Sequence, residues 1–245
     1  MKMTEEAKPP GRIEGALTRL FMKSATVRES RAPGERFRLV TLSGESLRGV
    51  RWTPGQKVQM ALGGWVNRTY TPLSWDAAHG STQLLLFLHG EGPGTAWGRA
   101  LKVGDSCTIF GPRGSLDLNT LDRPALLFGD ETSFGLAYAM RFTPQGAGDV
   151  RMVFEVTSKK VAEGVLVHLG ITNADLIERR SDDSHLRDVE KVAVEHVQSR
   201  SIKSCALSGK ASSIQRLNKR LRSLGLSSRQ IQTRAYWAPG KAGLD

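Results

Sequence analysis

Arg68, Tyr70 and Thr71 stand in the run Val66-Asn67-Arg68-Thr69-Tyr70-Thr71-Pro72-Leu73-Ser74-Trp75. Strand alternation puts Arg68 and Tyr70 on one face and Thr69 and Thr71 on the other. A guanidinium can hold a phosphate bidentately, an aromatic ring can pack on a flat ligand, and hydroxyl and backbone groups can hydrogen-bond a planar heterocycle. On a rigid strand these residue types can bind a flavin. They are also ordinary residues of a half-exposed strand, so the motifs that follow decide how much they mean.

The apolar run 84–88 ends in His89-Gly90-Glu91-Gly92-Pro93-Gly94-Thr95-Ala96-Trp97. This reads as a strand, a glycine-rich turn and a helix start, whose backbone N–H groups can meet an anion. Val103-Gly104-Asp105 then makes a turn, and 108–110 leads into Gly111-Pro112-Arg113-Gly114, a second corner carrying a cation. In this order, Arg-x-Tyr-Thr, His-Gly-x-Gly-Pro-x-x-x-Trp, Gly-Asp and Gly-Pro-Arg-Gly resemble the siderophore-interacting proteins, the flavin-dependent ferric-siderophore reductases of the ferredoxin-reductase superfamily. The resemblance runs from about residue 19 to the end. It takes in Pro54-Gly55-Gln56, Gly129-Asp130-Glu131-Thr132 and the closing Tyr236-Trp237-Ala238-Pro239-Gly240.

The resemblance implies FAD. Arg68, Thr69, Tyr70, Thr71 and Ser74 would contact the flavin and its ribityl chain. Gly94, Thr95 and Ala96 would approach the pyrophosphate with Arg113 nearby, and His89, Gly92 and Trp97 belong to the same motif. Asp130 and Thr132 would lie at the flavin edge, though both can also cap a helix. Tyr236 and Trp237 would pack on the flavin, or simply dock the tail. Lys210 departs from many relatives, which carry an acidic residue there. It can hold a nicotinamide phosphate or a siderophore carboxylate, or be a solvated surface lysine, and Lys241 would face the substrate. Reduced FAD would pass single electrons to chelated Fe(III), with NADH, NADPH or a ferredoxin as electron donor and no catalytic acid or base.

Composition sets outer limits. At 245 residues and 39% hydrophobic, the chain can bury one or two good cores, and two compact domains are the natural division. No apolar stretch approaches the ~20 residues of a membrane span, and the N-terminus lacks the apolar core of a signal peptide, so a cytoplasmic protein without membrane contact is expected. Cys107 and Cys205 lie far apart and the five histidines form no close pair, so neither a disulfide framework nor a protein-held metal is expected. The formal charge of +11 implies anionic partners, here an anionic ferric siderophore or an acidic ferredoxin. No nucleic-acid reading motif is found. Gly-x-Ser-x-Gly and any defensible Ser/His/Asp set are absent, which argues against hydrolysis. A flavin-free siderophore carrier and a basic nucleic-acid binder remain the alternatives. A monomer is expected.

These motifs need two frameworks. Six short runs, at 20–27, 37–42, 57–62, 67–74, 84–89 and 106–110, predict a six-stranded antiparallel Greek-key β-barrel as the flavin-binding unit over 16–122, after a flexible tail at 1–15. Beyond 123 the pattern alternates. Strands at 125–129, 151–156, 175–178, 205–208 and 231–236, with helices at 133–142, 161–169, 185–198 and 212–224, predict an α/β unit with a parallel sheet over 123–245. Ligands of such sheets gather at the carboxyl ends of the strands, which singles out Gly129–Thr132, Gly209–Ser213 and Tyr236-Trp237. There is no Gly-x-Gly-x-x-Gly and no Walker lysine loop.

Overall fold

The computed structural model describes residues 22–63 and 66–241. The tail expected at 1–15 and the start of the strand expected from 20 lie outside the described residues. The N-terminal part is an antiparallel sheet of seven strands: β1 (Met22–Arg31), β2 (Phe37–Ser43), β3 (Lys57–Ala61), β4 (Asn67–Tyr70), β5 (Pro72–Asp76), β6 (Ser81–Phe87) and β7 (Ser106–Arg113). Their order is β4-β3-β7-β1-β2-β6-β5.

The count is seven because the single strand expected at 67–74 changes partners in its middle. β4 pairs with β3, and β5 pairs with β6. Only Thr71 separates the two, yet they occupy opposite edges of the sheet. The sheet must therefore curl until its edges meet at Thr71, which is the barrel. Pro72, with no N–H to give to a ladder, sits at the first position of the new strand, where proline is tolerated.

The C-terminal part is a parallel sheet of β8 (Ala125–Gly129), β9 (Val150–Val156), β10 (Ala174–Glu178), β11 (Ser204–Lys210) and β12 (Ile231–Trp237), in the order β10-β9-β8-β11-β12. The helices are α1 (Pro93–Ala100) in the barrel part, then α2 (Phe134–Ala139), α3 (Lys159–His168), α4 (Leu186–Arg200) and α5 (Ala211–Ser223). β8 is buried throughout, as a strand covered on both faces must be. Leu127 joins the core beneath α2 and α3, while Leu126 and Phe128 join the core beneath α4 and α5. The helix expected at 133–142 is shorter, flanked by 3-10 turns at Glu131–Ser133 and Met140–Phe142. Asp130 and Ser133 form a reciprocal cap that tightens the first of these turns.

The two parts share a core. In β6, Leu84 and Leu86 point into the barrel, whereas Leu85 and Phe87 on the other face pack against the core beneath α2 and α3. That explains why 84–88 is apolar without alternation. Phe87 lies 5.0 Å from Phe37, Phe37 stacks on Phe134 at 5.7 Å, and Phe134 meets Phe154 edge-on at 5.0 Å. A column of rings thus runs from the barrel into the parallel sheet. Gly135 of α2 rests on the barrel closure itself, where an added Cβ would come within 2.8 Å of the Thr71 carbonyl oxygen. Among the described residues no helix is long and apolar enough to cross a membrane.

Gly135→Ala is expected to destabilise the protein by about 1–3 kcal/mol, lowering Tm by roughly 2–10 °C, because backbone rather than a flexible side chain must give way. Thermal unfolding of the purified variant checks this, and an unchanged Tm would show that the junction is not tightly packed.

Candidate functional site

A cleft of about 260 Å3 opens between the barrel closure and the carboxyl end of the parallel sheet. Asn67, Arg68, Thr69, Tyr70 and Thr71 line it from β4 and the closure, and Leu85, Phe87 and His89 from the end of β6. Gly92, Gly94 and Thr95 line it from the start of α1, Thr132 and Gly135 from the segment after β8, and Arg234, Tyr236, Trp237 and Lys241 from the chain end.

The α1 turn is held by Thr95, whose hydroxyl donates to the His89 carbonyl at 2.7 Å. Its N-cap, Gly92, offers no side-chain acceptor to the first-turn amides, and Pro93 follows. A Cβ on Gly94 would meet Arg68 Cγ at 3.3 Å and the Tyr70 hydroxyl at 3.5 Å. The Thr95 and Ala96 amides donate to the Gly92 carbonyl at 3.0 and 3.1 Å, so the helix start at Gly94, the guanidinium and the phenol sit against one another, forming a cradle for an anionic, flat-ended ligand. Trp97 supports Tyr70 from behind, stacked at 6.3 Å, and does not line the cleft. Burial pushes the Tyr70 hydroxyl up to about 12, although Arg68 pulls the other way.

On the far wall, the Tyr236 hydroxyl hydrogen-bonds Thr71 Oγ1 at 3.1 Å, which ties β12 to the barrel closure. Burial pushes Tyr236 up to about 12 as well. Trp237 Nε1 donates to Asp130 Oδ2 at 2.7 Å. The His89 ring stacks on Phe87 at 5.4 Å, and partial burial holds its imidazole below the usual value, so it is neutral at pH 7.

Asp130 is fully buried one layer behind the cleft wall. It sits at the topological switch point, since the chain runs from β8 outward through β9 and β10 and then returns to β11 on the other side. The loop after β8 and the end of β11 touch there. Gly209 has φ +102°, and a Cβ on it would lie 2.5 Å from Asp130 Oδ2. Arg179 at the end of β10 holds the surrounding acids together. Its Nη2 lies 2.6 Å from Glu131 and 3.6 Å from Asp130, and its Nε lies 3.9 Å from Glu155. Glu155 also accepts from His185 Nε2 at 2.9 Å and from the Ser213 hydroxyl at 3.0 Å. The Arg180 amide donates to His185 Nδ1, which fixes the proton on Nε2.

The structure brings together Arg68, Thr69, Tyr70, Thr71, His89, Gly92, Gly94, Thr95, Thr132, Tyr236, Trp237 and Lys241 around one cleft. It leaves others outside. Ser74 sits in β5 with its hydroxyl directed to Gln83 at 3.4 Å, and Ala96 faces away. Arg113 lies 4.4 Å over the Phe110 ring, away from the lining. Lys210 is held by both carboxylate oxygens of Asp183 at 2.7 and 2.8 Å and does not line the cleft. Sequence reasoning missed Lys57, Arg234 and Arg179. Arg234 precedes Tyr236 by two residues and so shares its strand face, and Arg179 ends a parallel strand, so both carried a readable signal. Lys57 gave none beyond following the Pro54-Gly55-Gln56 turn. Among the described residues no group of three or more His, Cys, Asp or Glu side chains is placed to hold a metal ion.

An antiparallel barrel joined to a parallel five-stranded sheet, with a cleft where the barrel closure meets the strand ends, is a ferredoxin-reductase-like two-domain fold. Within it, residues 17–116 match the model of the siderophore-interacting FAD-binding domain. The fold is similar to a siderophore utilization protein from T. fusca, at 20% identity and a TM-score of 0.70, covering 91% of this chain and 95% of that one. It is similar to the siderophore-interacting protein of Acinetobacter baumannii at 15% identity and a TM-score of 0.73, with 89% and 91% covered. It also resembles the ferredoxin reductase in carbazole 1,9a-dioxygenase, at 17% identity and a TM-score of 0.64, with 88% and 66% covered. The likeness to these solved structures is one of fold.

Arg179→Ala should destabilise the fold by on the order of 3–5 kcal/mol, since it strands Asp130, Glu131 and Glu155 in the interior. With the cation gone the Asp130 carboxyl, already pushed up to about 6 by burial, rises further. The unfolded state is common to parent and variant, so the deficit is smallest below about pH 6 and grows as pH rises through it. Urea unfolding of parent and variant at pH 5 and pH 8 reads this out, and an equal gap at both would assign the loss to packing alone.

Proposed function

We propose that the protein is a flavin-dependent reductase that converts Fe(III) in a siderophore to Fe(II) in the cytoplasm. Its barrel unit would end at 122 and its α/β unit begin at 123. The observation that carries this reading is the meeting of Arg68, Tyr70, Thr71, the start of α1 and the Tyr236–Trp237 pair around one basic cleft. FAD fits these residues, because the unsubstituted Gly94 leaves room where a side chain would press on Arg68 and Tyr70. Bound there, FAD supplies one-electron transfer to the iron.

The chain's own residues bind and orient. Arg68 and the start of α1 at Gly94 would hold the pyrophosphate, Tyr70 and Thr71 would hold the flavin and ribityl chain, and Tyr236 and Trp237 line the opposite wall. Lys57, Arg234 and Lys241 give the cleft its positive charge and draw in an anionic ferric siderophore. No acid or base is needed for outer-sphere transfer to Fe(III), and Fe(II), a poorer match for hard oxygen ligands, leaves the chelator. For the donor, hydride from NADH or NADPH needs near van der Waals contact with the flavin, which Trp237 restricts. An acidic ferredoxin needs only to approach the edge and is steered by the basic surface. Ferredoxin is then at least as good a donor as NADH.

The first test is a spectrum. The purified protein should be yellow or become so with FAD, absorbing near ~450 nm and bleaching under anaerobic reductant in a form that ferric siderophore re-oxidises. A colourless protein that refuses FAD but binds ferric siderophore would leave only a carrier. Arg68→Ala should weaken FAD binding by roughly 30- to 1000-fold, about 2–4 kcal/mol, measured by flavin occupancy after dialysis.

Trp237→Ser should speed reduction by NADPH several-fold and leave reduction by ferredoxin within about twofold, because only the first needs the covered face. Stopped-flow bleaching compares the two donors. Equal acceleration with both would mean that Trp237 restricts something other than nicotinamide contact.

A further inference from the structure

Asp130 is a buried carboxylate whose cation, Arg179, is shared with other acids. Facing it are Arg179 from the end of β10, Glu131 from the turn after β8, and Tyr236 and Trp237 from β12. Gly209 from β11 brings only backbone. Glu155 of β9 also lies beside Arg179, so three carboxylates share one guanidinium, and His185 donates its Nε2 proton to Glu155.

The partners of the two Asp130 oxygens differ in kind. Oδ2 receives the Trp237 indole N–H and lies nearest Arg179, and both groups can only donate. Oδ1 receives the Thr132 backbone N–H at 2.8 Å and the Thr132 hydroxyl. Of these partners only the hydroxyl can reverse and accept. A proton arriving at Asp130 must therefore settle on Oδ1, and doing so turns the Thr132 O–H hydrogen away from the carboxyl. Thr132 lines the cleft.

We propose that Asp130 is an exchangeable-proton site serving the cleft, with the Thr132 hydroxyl as its reversible link: when negative charge enters the cleft, Asp130 takes one proton from solvent and Thr132 becomes a donor toward the ligand. This rests on the reading of the cleft as a flavin site. The exchange is carboxylate plus one proton giving the carboxylic acid. No electron passes through Asp130, since the electrons come from the donor and leave to Fe(III). Asp130 is in this sense a positioning residue, acting through Thr132. Burial pushes its carboxyl up to about 6 against the pull of Arg179, Thr132 and Trp237, so a modest added negative charge suffices to protonate it near neutrality.

The apoprotein supplies the first test, because Trp237 donates to the titrating group. Tryptophan fluorescence should titrate with a midpoint at about pH 6 in the parent and lose that step in both Asp130→Asn and Trp237→Phe. A flat parent profile from about pH 5 to 8 overturns the proposal without recourse to any variant. In the FAD-loaded protein the flavin absorption should shift over the same pH range, and two-electron reduction in weak buffer should take up more protons in the parent than in Asp130→Asn. Thr132→Val should keep the tryptophan step and lose the flavin shift. A flavin shift that persists in Thr132→Val, or equal proton uptake in parent and Asp130→Asn, removes the link to the cleft. Failure to take up FAD at all would overturn the reading of the cleft as a flavin site, while the apoprotein titration would still decide whether Asp130 exchanges a proton.

Discussion

The chain passes from one edge of the antiparallel sheet to the other through Thr71 alone, and the cleft is built around that crossing. A strand that changes partners in one residue cannot slide, because slipping by one position would turn every side chain on both sides of it to the wrong face. Arg68 and Tyr70 before the crossing and Leu73 after it are thereby fixed relative to one another. The second unit then grips the same point twice. Gly135 presses on the Thr71 carbonyl, and the Tyr236 hydroxyl bonds its side chain. Two units that share a ring column and a common core do not behave as hinged lobes, so the cleft between them is a preformed site.

Charge is divided between the interior and the cleft in a way the net value of +11 conceals. Asp130, Glu131 and Glu155 are turned inward at the carboxyl end of the parallel sheet, where Arg179, His185 and Ser213 meet them. Had those carboxylates faced the cleft, they would have neutralised it. With them folded away, Lys57, Arg68, Arg234 and Lys241 stand around a wall whose other members are neutral, including His89. An anion entering meets cations near a low-dielectric floor of Leu85 and Phe87, where each charge counts for more than in open water.

Most of the architecture was legible because its signals are local. Continuous apolar runs flanked by glycine marked β8 and the end of β6, and helical spacing marked α4 and α5, since both follow from a single element meeting a core. The splitting of 67–74 was not legible, because Arg68 to Ser74 alternates as one strand and only the tertiary pairing shows that β4 and β5 face different neighbours. The site divides the same way. Residues within contiguous motifs, such as Arg68, Tyr70, Gly94 and Thr95, fall around the cleft, whereas Arg179 and Lys57 enter it or its support from distant segments with no motif of their own. Lys210 shows the converse. Its position at a strand end is as expected, but Asp183, remote in sequence, takes up its ammonium.

That capture of Lys210 bears on what the parallel sheet can still do. In an open parallel sheet the strand ends beside the switch point are where a dinucleotide lies. Here the end of β8 carries Asp130 under Trp237, the end of β10 carries Arg179 turned into the acids, and the end of β11 carries Lys210 bound to Asp183. Arg180, which could reach outward, is paired with Asp188 at 3.2 Å. Any nucleotide phosphate approaching these ends meets cations already matched to carboxylates and must compete with a pairing that is part of the fold. The cations that line the cleft come from the barrel, Lys57 and Arg68, and from the final strand and the segment after it, Arg234 and Lys241. The ligand-directed charge of the molecule thus lies across the junction of its two units, and the parallel sheet contributes chiefly a rigid wall whose acids are turned inward.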